Sequence, residues 1–308
     1  MKSFKGIALL IITNLLIFLT LAITGNILIY FVLPMIGIDV RGSVATHQFA
    51  WAMVFGFGGA FISLFMSKFM VKRSMRMEQV TDPQTQKEAL VFNTVKELAE
   101  REGIKMPEVW VYWDDSPNAF ATGPTRNSAM IAVSSGLAMN LTDDELKAVL
   151  AHEVGHIANG DMLATTLLQG LMNTFVYFFA SMIARMIASV ASNDEEEGGM
   201  NMIVYFVVDI TLQILFSILA SIVVCWFSRK REFRADAYAA EALGAESMIR
   251  ALRKIEVLSQ QAIPQEEVNE KDALATMKIY GAQGTISGLF ATHPAIDDRV
   301  AALKQRTR

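Results

Sequence analysis

Residues 142–184 read TDDELKAVLAHEVGHIANGDMLATTLLQGLMNTFVYFFASMIA, and two unlike segments stand there back to back. The first opens on Thr142-Asp143-Asp144-Glu145, a capping box that predicts a helix start, and it continues with further charges at Lys147 and Glu153. From Met162 to Ala184 there is no Asp, Glu, Lys or Arg. A helix over that stretch crosses about 30 Å of hydrocarbon. The chain therefore passes from a water-exposed helix almost directly into a membrane span.

Three more charge-free runs, 7–33, 49–67 and 210–228, are long enough for the same reading. Together the four runs hold more than a quarter of the 308 residues, and they account for the low charged fraction of 19%. Outside them the charged share rises to about a quarter, the ordinary value for soluble domains. This pattern predicts a mainly α protein in which a globular domain is cut up by four transmembrane helices. It excludes a purely soluble enzyme, a disulfide scaffold and a disordered tail protein. A net charge of −4 and a pI near 5.7 point to no nucleic-acid partner. The one cysteine, Cys225, lies inside the fourth run and permits no intrachain disulfide. The first run follows Lys2 and Lys5 but far exceeds a signal h-region and ends on no A-x-A site, so it reads as an uncleaved anchor.

Lys and Arg at the span ends give an orientation. Lys2, Lys5, Lys68, Lys72, Arg73, Arg76, Arg229, Lys230, Arg231 and Arg234 fall on one side, and only Arg41 and Arg185, with the acidic run 194–197, fall on the other. Both termini are thus expected in the cytoplasm, and each basic cluster reads as a stop-transfer flank. The expected organisation is two membrane helices in 1–67, the first part of a cytoplasmic domain in 68–161, two more spans with a short external loop in 162–228, and the rest of the domain in 229–308. Within that domain, Asp82-Pro83 suggests a helix start, with the helix running to about Gly103. Strands are expected at 109–113 and 130–133, which makes a helical domain with a small sheet.

The helix opened by Thr142 carries His152-Glu153-Val154-Gly155-His156, an H-E-x-x-H pattern. Histidines at i and i+4 share one helical face with Cβ atoms about 5–6 Å apart, close enough to bind one tetrahedral cation. Glu153 is placed to act as general base on a metal-activated water. Composition alone would produce this pattern in roughly 0.003 of such chains. A catalytic zinc needs a third protein ligand and an open position. Glu232 and Asp236, also i and i+4, directly follow the fourth run. Adjacent third and fourth spans would return Glu232 to the neighbourhood of His156. A salt bridge within the basic flank is the other reading of Glu232. His47 stands near the second span on the outer side.

These segments, with Asn118-Ala119-Phe120-Ala121-Thr122-Gly123 and the closing His293-Pro294 and Arg299, resemble the HtpX membrane metalloproteases, relatives of the CAAX prenyl endopeptidases in the zincin superfamily. The resemblance covers nearly the whole chain. It implies a zincin-like α+β protease domain with one zinc ion held by His152, His156 and Glu232, and with Glu153 as the catalytic base. It implies that Asp236 orients a ligand imidazole from behind, that His293 and Arg299 stabilise the oxyanion, and that Asn118, Ala119, Phe120 and Ala121 bind substrate along an edge strand. It further implies unfolded or misassembled membrane proteins as substrates, a stress-linked quality-control role in the bacterial inner membrane, and contact with the lipid bilayer; it leaves the oligomeric state open.

Two protease rivals are disfavoured. An intramembrane protease would carry the motif within a span, and the helix opened by Thr142-Asp143-Asp144-Glu145 is too charged for lipid. A prenyl endopeptidase resembles a larger helical chamber, which four spans are too few to enclose. The rival of another class is a membrane transporter or receptor with a structural zinc site. Against it, polar residues inside the spans are few (Asn14, Asn26, Gln169 and Asn173), and Asp209 reads as interfacial. The run Gly56–Ala60 predicts close helix packing rather than a ligand loop.

Overall fold

The computed structural model describes residues 16–191, 201–261 and 291–306. The expectations placed on Lys2, Lys5, Asn14, the start of the first run and the acidic run 194–197 lie outside the described residues. In chain order the first elements are α1 (Leu16–Met35), α2 (Val44–Ser74), β1 (Met77–Gln79), α3 (Gln86–Arg101), β2 (Glu108–Tyr112), β3 (Ala119–Thr125) and β4 (Ser128–Ser134). They are followed by α4 (Ser135–Asn140), α5 (Asp143–Asn159), α6 (Asp161–Val190), α7 (Met202–Leu243), α8 (Ala245–Gln261) and α9 (Ile296–Arg306). Four of these helices, α1, α2, α6 and α7, are long and apolar enough to cross a membrane. Two compact units divide the chain, Met1–Ser63 with Thr166–Ser221 and Leu64–Thr165 with Ile222–Arg308. Each division falls a turn or two inside a run that charge alone delimits.

In the first unit, glycine sets how closely the helices approach. A Cβ on Gly56 would collide with Thr174 Oγ1 and with the Gly170 carbonyl, and one on Gly170 would lie 2.5 Å from Phe57 Cδ1. The Gly56–Ala60 run thus packs helix on helix. In α1 the backbone widens to a π turn over Leu28–Val32, with Leu33 N–H donating to Leu28 O. Pro34 follows directly; its ring would clash with the carbonyl four residues back, and the wider turn relieves that conflict.

The second unit is built on a four-stranded sheet of order β1-β2-β4-β3. β2 and β4 run parallel, while the two outer pairs are antiparallel. β4 is buried on both faces. Ile131 and Val133 enter the main core with Val95 and Leu98 of α3 and with Leu150 and Val154 of α5, and Met130 and Ala132 meet Val71, Tyr112 and Phe120 on the other side. Such alternation is the period of two expected of a strand between two layers. β3 lies at the sheet edge, joined to β4 by the two-residue turn Arg126-Asn127 and packed beside α5. Composition predicts only the two inner strands. β1 is three residues long, and Gly123-Pro124 inside β3 imitates a turn.

Helix α3 starts later than Asp82-Pro83 suggests. Thr85 is its N-cap, with the hydroxyl accepting from Glu88 N–H, so the T-x-x-E spacing outweighs the proline signal. Helix α5 opens on the full Thr142–Glu145 capping box and closes at Gly160, whose φ of 70° makes the left-handed C-cap. Gly155 gives α7 close access to the same helix, because a Cβ there would lie 3.0 Å from Tyr238 Cδ1.

Candidate active site

Helix periodicity puts His152 and His156 on one face of α5, and Glu232 of α7 faces them. His156 Nε2 lies 3.2 Å from His152 Nε2 and 3.2 Å from Glu232 Oε1. His152 Nε2 lies 3.4 Å from Glu232 Oε2. These atoms all fall within 4.8 Å of one another. A tetrahedral cation held by bonds of about 2.0–2.1 Å requires donors about 3.3–3.4 Å apart, so the spacing fits.

The chemistry of the donors fits as well. His152 Nδ1 is 2.9 Å from Asp236 Oδ1, and His156 Nδ1 is 2.7 Å from Asp161 Oδ2. Donation from each Nδ1–H leaves two bare Nε2 lone pairs facing each other, an arrangement that a shared cation satisfies. Glu232 Oε2 is buried, without a hydrogen bond of good geometry among the described residues, and His293 Nδ1 stands 2.8 Å away. The local field favours positive charge. Burial opposes the imidazolium of His156, yet Asp161 and Glu232 outweigh it and raise the pKa to about 10. The Glu232 carboxyl is held well below its ordinary range by His293, His152 and His156, against its own burial.

Glu153 is buried at 4% exposure, and that burial raises its carboxyl pKa. Arg299 belongs to α9. It is fully buried, and its Nε and Nη2 donate to the two Asp236 oxygens at 2.7 and 2.6 Å. Its Nη1 lies 3.6 Å from Glu232 Oε2. The guanidinium therefore supports the donor residues from behind. Asn118 precedes β3; its N–H donates to Ser134 Oγ and its Nδ2 to Tyr112 OH, both at 2.9 Å. Its Oδ1 is buried with no hydrogen-bond partner among the described residues. Ala119 and Phe120 send their side chains into the two cores, so they present backbone alone, and Ala121 packs partly buried beside them. His47 belongs to the other unit, where its Nε2 accepts from Trp51 Nε1 at 3.2 Å.

Sequence reasoning passes over Asp161, Arg234 and Tyr112. The first two read as the ordinary polar edges of spans, and Tyr112 as one more strand aromatic. The signal that could have singled out Asp161 is an acid placed directly after the Gly160 helix stop and five residues from His156.

An H-E-x-x-H helix, a glutamate from a second helix and a neighbouring edge strand define a zincin-like metallopeptidase. The model of peptidase family M48 matches residues 85–307. Protease HtpX of Idiomarina loihiensis is 44% identical over 305 residues, covering 98% of this chain and 99% of that protein. An HtpX homologue of Neisseria meningitidis serogroup C is 44% identical over 289 residues, 94% and 98% of the two chains. The crystal structure of S. mikatae Ste24p shares the fold with a TM-score of 0.59 at 22% identity, covering 96% of this chain and 67% of that one. The chain belongs to peptidase family M48 and is a multi-pass membrane metalloprotease of the HtpX type.

Proposed function

We propose that His152, His156 and Glu232 hold one zinc ion per chain, and that the enzyme cuts misfolded, damaged or misassembled membrane proteins at the cytoplasmic face of a bacterial inner membrane. The observation that carries this reading is the convergence of three ligating side chains next to the buried carboxyl of Glu153. When bound, zinc supplies a Lewis acid and lowers the pKa of water. Glu153 takes the proton of the attacking water and passes it to the leaving amine; burial strengthens it as a base. His293 turns Nδ1 toward Glu232, and in this reading its Nε2 serves the developing oxyanion. Arg299 and Asp236 support His152 from behind.

Substrate binding rests on the outer edge of β3, which pairs with no strand among the described residues. An extended peptide adds to it as a further strand that begins beside Asn118. Backbone pairing of this kind tolerates many side chains, as removal of damaged proteins under stress requires. The cytoplasmic assignment is supported by the Lys and Arg clusters that end α2 and follow the apolar part of α7.

The test is Glu153→Gln, purified in detergent with zinc. It should keep its metal and cleave neither an unfolded protein nor itself; undiminished proteolysis would overturn the mechanism. In Glu232→Ala zinc affinity should fall, and unchanged affinity would mean that another residue is the third ligand.

A further inference from the structure

We propose that Asp161 is a positioning residue for the metal site, fixing the tautomer and direction of His156 and tying that ligand to α7. This inference rests on the ligand assignment proposed above.

Helix α5 ends in the left-handed turn of Gly160, and α6 begins on the next residue, Asp161. That turn folds the acid back toward the helix just completed. Asp161 is 1% exposed, and a carboxylate buried so deeply requires partners. It has them on both oxygens. Oδ2 lies 2.7 Å from His156 Nδ1, and Oδ1 accepts from Arg234 Nη2 at 3.3 Å. Its backbone carbonyl accepts from Thr165 Oγ1 at 2.7 Å and from Arg231 Nη1 at 3.4 Å. One residue thus joins the motif helix, the start of α6 and the segment of α7 that carries Glu232.

The consequence for ligation is specific. A carboxylate facing Nδ1 places the imidazole proton there and leaves Nε2 as a lone pair. Nε2 is the nitrogen that faces His152 and Glu232. Asp236 does the same for His152, so each histidine of the motif has its own carboxylate. The two supports differ in their cations. Arg299 behind Asp236 is fully buried, whereas the Arg234 side chain is 56% exposed. Solvent screens an exposed partner, so the contribution of Asp161 runs mainly through His156 and only slightly through Arg234.

A residue that merely held the α5–α6 corner would affect folding without altering ligation. Zinc affinity by chelator competition and the visible spectrum of the cobalt-substituted full-length enzyme in detergent distinguish the two roles. Asp161→Ala should weaken zinc about 10–100-fold and change the cobalt spectrum. Asp161→Asn keeps the shape and one acceptor oxygen, so it should fold and show a smaller loss with a changed spectrum. Arg234→Gln should weaken zinc less than about threefold. Zinc affinity within twofold of wild type and an unchanged cobalt spectrum in Asp161→Asn, with His156→Ala losing the metal, would overturn the proposal and leave the ligand assignment standing. Unchanged affinity in His156→Ala would overturn the assignment itself, and the role of Asp161 with it.

Discussion

Replacing Arg299 with Met tests whether the support behind the site is a fixed ion pair. Arg299 is 0% exposed and Asp236 2%, and two parallel contacts of 2.6 and 2.7 Å join them. Truncating one partner leaves the other charge buried without compensation, which costs about 3–5 kcal/mol. Met fills most of the vacated volume, so the loss reports charge more than cavity. Asp236→Leu strands Arg299 in the same way and should cost a similar amount. The double variant removes both charges and should recover most of that loss. It stays about 1–3 kcal/mol below wild type, because His152 Nδ1–H has lost its acceptor. The coupling energy from the double-mutant cycle should therefore reach about 3 kcal/mol or more. The assay is guanidinium unfolding of the metal-free protein in detergent, followed by tryptophan fluorescence, so that ligation does not enter the balance. Zinc affinity measured in parallel should remain weak in the double variant, since His152 is no longer oriented. A loss below about 1 kcal/mol in Arg299→Met, or additive single losses, would refute the reasoning.

Two further predictions concern the sheet. Glu108 receives Lys68 at 2.6 Å and Lys72 at 2.7 Å; burial pushes its carboxyl up, but the two ammonium groups and Trp110 prevail and hold it at about 2. Because the folded value lies below the unfolded one, the stabilisation is complete above about pH 4.5 and disappears as pH falls toward 2. Glu108→Gln should flatten the acid limb of a stability-against-pH curve by about 1 kcal/mol after solvent screening, and an unchanged limb would exclude the pair as its source. Ser134 Oγ accepts from Asn118 N–H and Leu137 N–H and donates to the Ser116 carbonyl. Ser134→Ala should cost about 2 kcal/mol in unfolding and raise KM more than it lowers kcat, a split that peptide-cleavage kinetics would check.

Much of this was legible in residue order because it depends on local periodicity. The four spans follow from the absence of charge, the motif helix from its capping box, and the paired histidines from a spacing of four. Glu232 was within reach by topology, since two adjacent spans return the chain to its starting side. The contacts that residue order does not show are those between positions distant in sequence. Arg299, which the resemblance sets beside the oxyanion, has its guanidinium against Asp236, 63 residues earlier in the chain. Asp161 and Arg234 look like the ends of membrane spans, where charge is expected on general grounds, and that expectation conceals their meeting across 73 residues. The same physical fact explains both outcomes. A charge at the end of a span needs no partner in water, so its type and place carry little information; once the helix ends gather around buried imidazoles, desolvation requires the buried carboxylates Asp161 and Asp236 to be matched. Arg234, one of the basic flank residues from which an orientation is read, meets the buried Asp161, and Asp161 and Asp236 each stand against one histidine of the motif.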